Sequence, residues 1–396
     1  MSETQTCRTV CILAAGSGSR QHFAKGRLHK GLIPLGNQAV VSRIIAQIED
    51  PVEFVIAVGH GADQIREYLR LAHPELAVTF QDVNPYMGPG SGPGTSVLAC
   101  REHLTAPFLL TAVDTLVSKV PSLVPGRSWV GLAPVEEPER YLTIERAGTR
   151  VVGFQERTGL GDTAFVGLAW VADPVTFFGG LVSAAREEEC QVTPGLAALA
   201  ESPAGLWAEE VSWLDTGTDE GFAHARRAFP EEPGAGREAI DVTYLFDDRV
   251  IKWFADEEQA ARCRIRASVL GSAAPPMIQS TGPWLAYERV SGKPLRDRVD
   301  AAMVDEVIDW ASSSIWLPQQ DPGGVEAAAL RLYQDKTLKR LDQYLVARDS
   351  GEELDETLVN DVVVPPVSEI LPAAVDLVIA ALEPAGFHGD FHEGNI

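Results

Sequence analysis

Two aspartates and a scatter of basic residues carry the chemistry available to this chain. Asp114 closes the apolar run Phe108-Leu109-Leu110-Thr111-Ala112-Val113. A carboxylate at the end of a buried strand is costly unless it is paired or bound to a cation. Mg²⁺ suits such a position, because it takes hard oxygen ligands from one or two carboxylates together with substrate phosphates. Asp215 follows Val211-Ser212-Trp213-Leu214 and precedes Thr216-Gly217-Thr218. The plainer reading makes both positions helix caps, with Asp215 or Thr218 capping the helix that follows. The basic groups come early. The segment Val10-Cys11-Ile12-Leu13-Ala14-Ala15-Gly16-Ser17-Gly18-Ser19-Arg20 is an apolar run that enters a Gly/Ser loop, and Lys25 and Lys30 lie just beyond. Gly16 and Gly18 remove Cβ atoms where backbone turns or approaches a ligand. Successive N–H groups there can cradle phosphate oxygens, and Arg20 adds a fixed positive charge.

The elements that must position these groups follow from periodicity. Val10 to Leu13, Phe54 to Val58 and Val78 to Phe80 read as short buried strands, with helical spacing over Val40–Ile48 and Asp63–Leu71. Strands alternating with helices imply right-handed βαβ units and a parallel sheet covered on both faces. Ligands of such sheets bind at the carboxyl ends of the strands, which is where the Gly16 loop lies. A second glycine-rich loop, Gly88 to Ser96, leads into a helical stretch, Val97 to His103. Several N–H groups at a helix start would favour an anionic or polar ligand, and a plain surface loop is the alternative. Further strands are expected over Val130–Ala133, Tyr141–Glu145, Arg150–Arg157 and Ala164–Val171, and an amphipathic helix over Asp219–Phe229.

The pairing of L-A-A-G-x-G-x-R (Leu13 to Arg20) with K-x-L-x-P-L (Lys30 to Leu35) resembles nucleotidyltransferases that join a nucleoside triphosphate to a phosphorylated sugar or alcohol, of the MobA-like kind. It is neither the Walker loop nor the dinucleotide fingerprint. The resemblance implies that Leu13, Ala14, Ala15, Gly16, Gly18 and Lys25 lie on the triphosphate, with Arg20 and Lys30 neutralising it. It assigns base or ribose contacts to Gly92, Gly94 and Ser96, and a metal ligand to Asp114. The order x-V-x-G-F-x-E-R followed by A-x-V-G-L-x-W-V is similar to the acceptor half of these enzymes, which makes Glu156 and Gly167 acceptor residues; Glu156 as a solvated strand residue stays open. Val211-Ser212-Trp213-Leu214-Asp215-Thr216-Gly217-Thr218 is similar to the family's W-x-D-x-G-T signature. It makes Asp215 the second carboxylate on a shared Mg²⁺. The implied reaction is attack of an acceptor phosphate oxygen on the α-phosphorus, expelling pyrophosphate.

Pro230 to Arg237 is a linker by composition. Beyond it, Asp241–Phe246 and Arg249–Phe254 read as a hairpin around Asp247-Asp248, followed by a helix over Glu257–Leu270. The lysine in Val250-Ile251-Lys252-Trp253-Phe254, the stretch Trp284 to Leu295, and H-G-D-x-H-x-x-N over His388 to Asn395 resemble aminoglycoside phosphotransferases and choline kinases. That likeness implies ATP at Lys252, the substrate hydroxyl at Asp390 and Mg²⁺ at Asn395. Ile396 falls before the family's next metal aspartate, so an incomplete kinase half is expected. There is also no glycine-rich phosphate loop before Lys252, and Glu257 and Glu258 are early for its acidic partner.

The expected organisation is therefore a Rossmann-like mixed-sheet α/β transferase domain at 1–229, a linker at 230–237, and a partial protein-kinase-like α+β domain at 238–396. A cytidylyltransferase using CTP and a phospho-alcohol is favoured. A sugar-1-phosphate uridylyl- or guanylyltransferase, or a nucleotide-binding regulatory chain, is the alternative. The net charge of −23 argues against a non-specific nucleic-acid or anionic-membrane surface. With five scattered cysteines and no apolar run near the ~18 residues a membrane helix needs, the expected setting is cytoplasmic with reduced thiols.

Overall fold

In the computed structural model the described residues are 9–18, 27–48, 53–156, 158–184, 190–232, 236–238, 241–292, 301–316, 322–347, 357–359 and 362–381. They fall into two compact units, one from Met1–Arg262 with Met277–Arg289 and the other from Cys263–Pro276 with Val290–Ile396.

The first unit opens with β1 (Thr9–Ala14), a short hairpin β2 (Pro34–Leu35) and β3 (Gln38–Ala39), α1 (Val40–Ala46), β4 (Glu53–Val58), α2 (Ala62–Ala72), β5 (Val78–Asp82) and α3 (Pro93–Ala99). Then come β6 (Phe108–Ala112), β7 (Thr115–Val117), β8 (Ser128–Pro134), β9 (Leu142–Ala147), β10 (Arg150–Glu156) and β11 (Thr163–Val171). The series closes with α4 (Pro174–Ala184), α5 (Thr193–Glu201), β12 (Leu206–Glu210), β13 (Trp213–Asp215) and α6 (Asp219–Ala228).

Nine strands form one mixed sheet in the order β5-β4-β1-β6-β11-β8-β12-β10-β9. The β5-β4-β1-β6 part is parallel, as the alternation of strands and helices requires, and β11 runs antiparallel between β6 and β8. Along β1 the side chains alternate. Val10, Ile12 and Ala14 enter the core on one face with α1, α2 and α6, while Cys11 joins the core on the other with α3, α4 and α5. The chain leaves β1 toward β4 and β5, then returns to pair β6 on the other side of β1. A crevice opens at such a reversal, beyond the carboxyl ends of the strands. Those ends are Ala14–Gly16 and Ala112–Asp114.

The same unit contains a second sheet, β14 (Gly236–Glu238), β15 (Asp241–Leu245), β16 (Arg249–Trp253), β17 (Met277–Thr281) and β18 (Trp284–Glu288), ordered β14-β15-β16-β18-β17. The register sets Tyr244 opposite Ile251 and Val242 opposite Trp253, so these side chains share a face. With Trp284 and Ala286 they belong to the same apolar cluster as α1, α2 and β1. The linker read from composition therefore does not mark the edge of a compact unit. Helix α7 (Glu257–Leu270) follows β16 in the chain.

The second unit is mainly helical: α8 (Ala301–Ser314), α9 (Pro322–Ala329), α10 (Lys336–Ala347) and α11 (Val367–Ala380), with a small ribbon of β19 (Thr357–Val359) and β20 (Val362–Val364). No helix among the described residues is long and apolar enough to cross a membrane.

Candidate functional site

The crevice at β1 and β6 is floored by a single turn of 3₁₀-helix, Lys30–Leu32. His29 caps it. Gly31 N donates to His29 Nδ1 at 3.0 Å, and His29 Nε2 lies 2.9 Å from Ala14 O. An amide N–H can only donate and a carbonyl can only accept, so the tautomer is fixed: Nδ1 is bare and Nε2 carries the proton. The imidazole is 1 % exposed, and burial pushes its pKa down to about 4. Gln64 secures the approach to the turn, accepting from His29 N at 2.7 Å and donating to Arg27 O at 2.8 Å. Gly31 is required here, because a Cβ would lie 2.6 Å from Val113 Cγ2. Gly18, at φ +67°, packs so closely that a Cβ would lie 3.2 Å from Lys30 Cβ. From this turn Lys30 Nζ reaches Asp114 Oδ2 at 2.7 Å.

Asp114 and Asp215 are brought together by a two-stranded antiparallel ribbon, β7 with β13, in which Asp215 pairs with Thr115. Thr216 N and Oγ1 both donate to Asp114 O, at 3.1 and 2.9 Å. Asp215 Oδ1 accepts from Gly217 N at 2.7 Å, and its Oδ2 accepts from Tyr141 Oη at 2.9 Å and from Thr218 Oγ1 at 3.4 Å. Thr218 is the cap of α6, accepting from Gly221 N, so the capping role falls to it and leaves Asp215 for the cavity. A Cβ on Gly217 would sit 3.0 Å from Asp114 Oδ2 and 3.1 Å from Asp215 Oδ1, so those oxygens are at most about 6 Å apart. Two carboxylates held this close, one already drawing an ammonium, fit a hard divalent cation with substrate phosphate completing its shell. Among the described residues no group of three or more His, Cys, Asp or Glu gathers for a metal, so this pair and its substrate would be the donor set.

Above the pair lies a cavity of about 280 Å³. Its lining includes Leu13, Asp114, Glu156, Gly167 and Asp215, which the sequence places far apart. Glu156 Oε1 accepts a hydrogen bond from Thr193 Oγ1 at the start of α5. Gly167 has φ +84°, and a Cβ there would lie 2.9 Å from Thr115 Oγ1, so this backbone seals the wall without a side chain. Tyr141, Phe165, Val192 and Trp213 give the cavity an apolar and aromatic rim, with Tyr141 and Trp213 edge to face at 5.6 Å.

The glycines of the second loop are used for close packing. Cβ atoms on Gly92 and Gly94 would lie 2.3 Å from Cys190 O and 2.3 Å from Gln191 O. Gly94 N donates to Cys190 O and Ser96 Oγ to Gly92 O, so these groups are engaged within the chain. Ala14 and Ala15 are buried at the end of β1, whereas Gly16 is exposed with open space where a Cβ would be. Lys252 is half-buried on β16, on the face opposite Ile251 and Trp253 and so turned away from the apolar cluster they share with β1, α1 and α2. It has no hydrogen bond or ion pair with Glu257 or Glu258 among the described residues. Arg20, Lys25, His388, Asp390 and Asn395 lie outside the described residues.

Three residues of the site give no signal in the sequence. His29 is one isolated histidine beside a lysine. Tyr141 stands ahead of an ordinary strand, and Thr193 is a helix-start threonine. Only the fold shows that they hold Lys30, Asp215 and Glu156.

Residues 10–120 match the family described as MobA-like NTP transferase domain. Among curated proteins, the bifunctional protein GlmU of Pseudomonas fluorescens is 30 % identical over 141 residues, covering 35 % of this chain and 30 % of that protein. GlmU of Methanococcus maripaludis is 26 % identical over 136 residues, covering 34 % and 31 %. The chain thus spans about a third of the length of these relatives. Among solved structures, a UDP-glucose pyrophosphorylase complexed with UDP-glucose aligns with TM-score 0.46 at 16 % identity, covering 56 % of this chain and 98 % of that one. A UDP-glucose pyrophosphorylase from Acinetobacter baumanii aligns with TM-score 0.44 at 14 % identity, covering 56 % and 92 %. The match to the MobA-like NTP transferase domain thus falls on the N-terminal part of the mixed α/β unit, and it contains the turn and strand end that join Lys30 to Asp114.

Proposed function

We propose that the chain transfers a nucleotidyl group from a nucleoside triphosphate to a phosphorylated small molecule, releasing pyrophosphate. The observation that carries this reading is the contact of Lys30 with Asp114, facing Asp215 across Gly217 beside an open cavity. The triphosphate lies along the β1 loop, with Gly16 open to it and Gly18 allowing Lys30 to approach. Lys30 passes from Asp114 to the phosphates and neutralises their charge. The acceptor occupies the cavity between Gly167 and Glu156, and its phosphate oxygen attacks the α-phosphorus. A P–O bond forms there as the bond to the bridging oxygen breaks, and pyrophosphate carries away the electron pair. The acceptor phosphate is already anionic, so no protein base is needed. Asp114 and Asp215 would hold Mg²⁺, which would supply charge neutralisation at the phosphates.

The relatives favour a sugar 1-phosphate as acceptor, and the polar Glu156–Thr193 pair against an aromatic rim suits a ring bearing hydroxyls. The narrower reading, CTP with a phospho-alcohol, rests on the kinase resemblance of the second half. What supports a kinase-like partner is the order β14-β15-β16-β18-β17, a helix following the third strand, and a lysine on that strand. Such a partner would use ATP to make the phosphorylated acceptor.

The test is pyrophosphate release with Mg²⁺, each of the four common nucleoside triphosphates, and a panel of sugar 1-phosphates and phospho-alcohols. Turnover with one pair, and a product of the matching mass, is expected. Nucleotide binding without turnover across the panel would favour the regulatory reading.

A further inference from the structure

The hydroxyl of Tyr244 is far from residues 10–120 in sequence, yet it reaches the turn that carries Lys30. Tyr244 lies on β15, is fully buried, and donates from Oη to Leu32 O. Leu32 ends the turn whose first residue is Lys30. On its other side the turn is held at Gly31 N by His29 Nδ1, so it is gripped at both flanks. The next residue of the strand holds the hairpin that follows the turn, with Leu245 N donating to Asn37 O at 2.8 Å. The Tyr244 ring is fixed edge-on by Tyr68, with centroids 4.8 Å apart. Tyr68 spends its own hydroxyl elsewhere, on Ser42 Oγ at 2.7 Å and on Ala39 N at 3.2 Å. A buried phenol that satisfies a buried carbonyl constrains both groups, because water can replace neither partner.

We infer that Tyr244 is a positioning residue of the transferase site. Through Leu32 O it holds the Lys30 turn so that Nζ is aimed at Asp114 and at the phosphate bound beside it. The inference rests on the reading of Lys30 as the cation of nucleotidyl transfer. It makes the hairpin of β15 and β16 part of the transferase machinery, whatever else the second half does.

Tyr244→Phe keeps the ring and removes the hydroxyl. Tyr68→Phe removes an equally buried hydroxyl from the same cluster without touching the turn. Both variants are measured in the full chain by two readouts: steady-state pyrophosphate release, and the rate of reductive methylation of Lys30 without substrates, followed by peptide mass spectrometry. Tyr244→Phe should lower kcat by about tenfold while KM for the triphosphate changes by less than about threefold. It should also speed Lys30 methylation several-fold, and Tyr68→Phe should leave both at wild-type values. Unchanged Lys30 methylation in Tyr244→Phe overturns the inference, with or without turnover. Equal acceleration in Tyr68→Phe overturns it as well, since general loosening would then explain the effect. A wild-type chain without turnover, but with faster labelling in Tyr244→Phe, would sink the transferase reading and keep the positioning role.

Discussion

His29 is buried and neutral because both ring nitrogens are committed, Nδ1 as acceptor from Gly31 and Nε2 as donor to Ala14. A second proton would set an N–H against an N–H. Its pKa in the fold, about 4, lies below the ordinary 6.5, chiefly through burial. As pH falls the unfolded chain therefore takes up the proton first. The stability contributed by neutral His29 is complete above about pH 6.5 and drains away toward pH 4, by at most ~3 kcal/mol. In urea unfolding, the gap between wild type and His29→Gln should narrow by more than about 1 kcal/mol across that window. Parallel curves would contradict the assignment. At this scale the sequence was legible where a residue type is scarce in its context. An aspartate at the end of an apolar strand and a lysine in K-x-L-x-P-L both declare themselves. His29, Tyr141 and Thr193 do not, because their roles are hydrogen bonds to partners that only tertiary structure supplies.

The β7–β13 ribbon is what turns two distant carboxylates into one site. Three residues on each strand suffice, because Thr216 also ties both its N–H and its hydroxyl to Asp114 O. Gly217 sets the spacing: a Cβ would press on both carboxylates at 3.0 and 3.1 Å. Gly217→Ala should displace them by a few tenths of an ångström, lowering kcat by about tenfold at a stability cost below about 1 kcal/mol. Steady-state kinetics beside a urea melt separates the two effects, and full activity would show that the pair tolerates a shift. The parallel strands and their helices were readable from periodicity, as was the strand over 164–171. β7 was not, since a three-residue strand has no period of its own and exists by pairing with β13 about a hundred residues on. Cys190 and Gln191 pack against the glycine loop before α3, and Gly94 N donates to Cys190 O, an approach that sequence spacing cannot foresee.

In the molecule as a whole, the core beneath the nine-stranded sheet continues past residues 230–237. Val242, Tyr244, Ile251, Trp253, Trp284 and Ala286 join the cluster that contains β1, α1 and α2. Trp284 is 2 % exposed, with its ring 6.1 Å from that of Tyr68. Trp284→Ala should cost about 3–5 kcal/mol, and the loss should be felt across the unit. Hydrogen exchange should show lower protection at β1 amides as well as in β15, β16 and β18. Loss confined to the second sheet would mean that the two sheets unfold independently. Composition reads Pro230 to Arg237 as a linker, yet strand β14 begins at Gly236 and its sheet belongs to the same unit as the first. It could not reveal what covers the hairpin beyond, because an alternating strand shows that one face is buried but not against which partner.

On the proposed reading, Asp114 and Asp215 act together on one phosphate-bound cation beside Lys30. The most direct measurement is pyrophosphate release by wild type, Asp114→Asn and Asp215→Asn, at saturating Mg²⁺ with the best triphosphate and acceptor. Each substitution should lower kcat by about a hundredfold or more while the chain stays folded. Turnover within about twofold of wild type in either variant would contradict it.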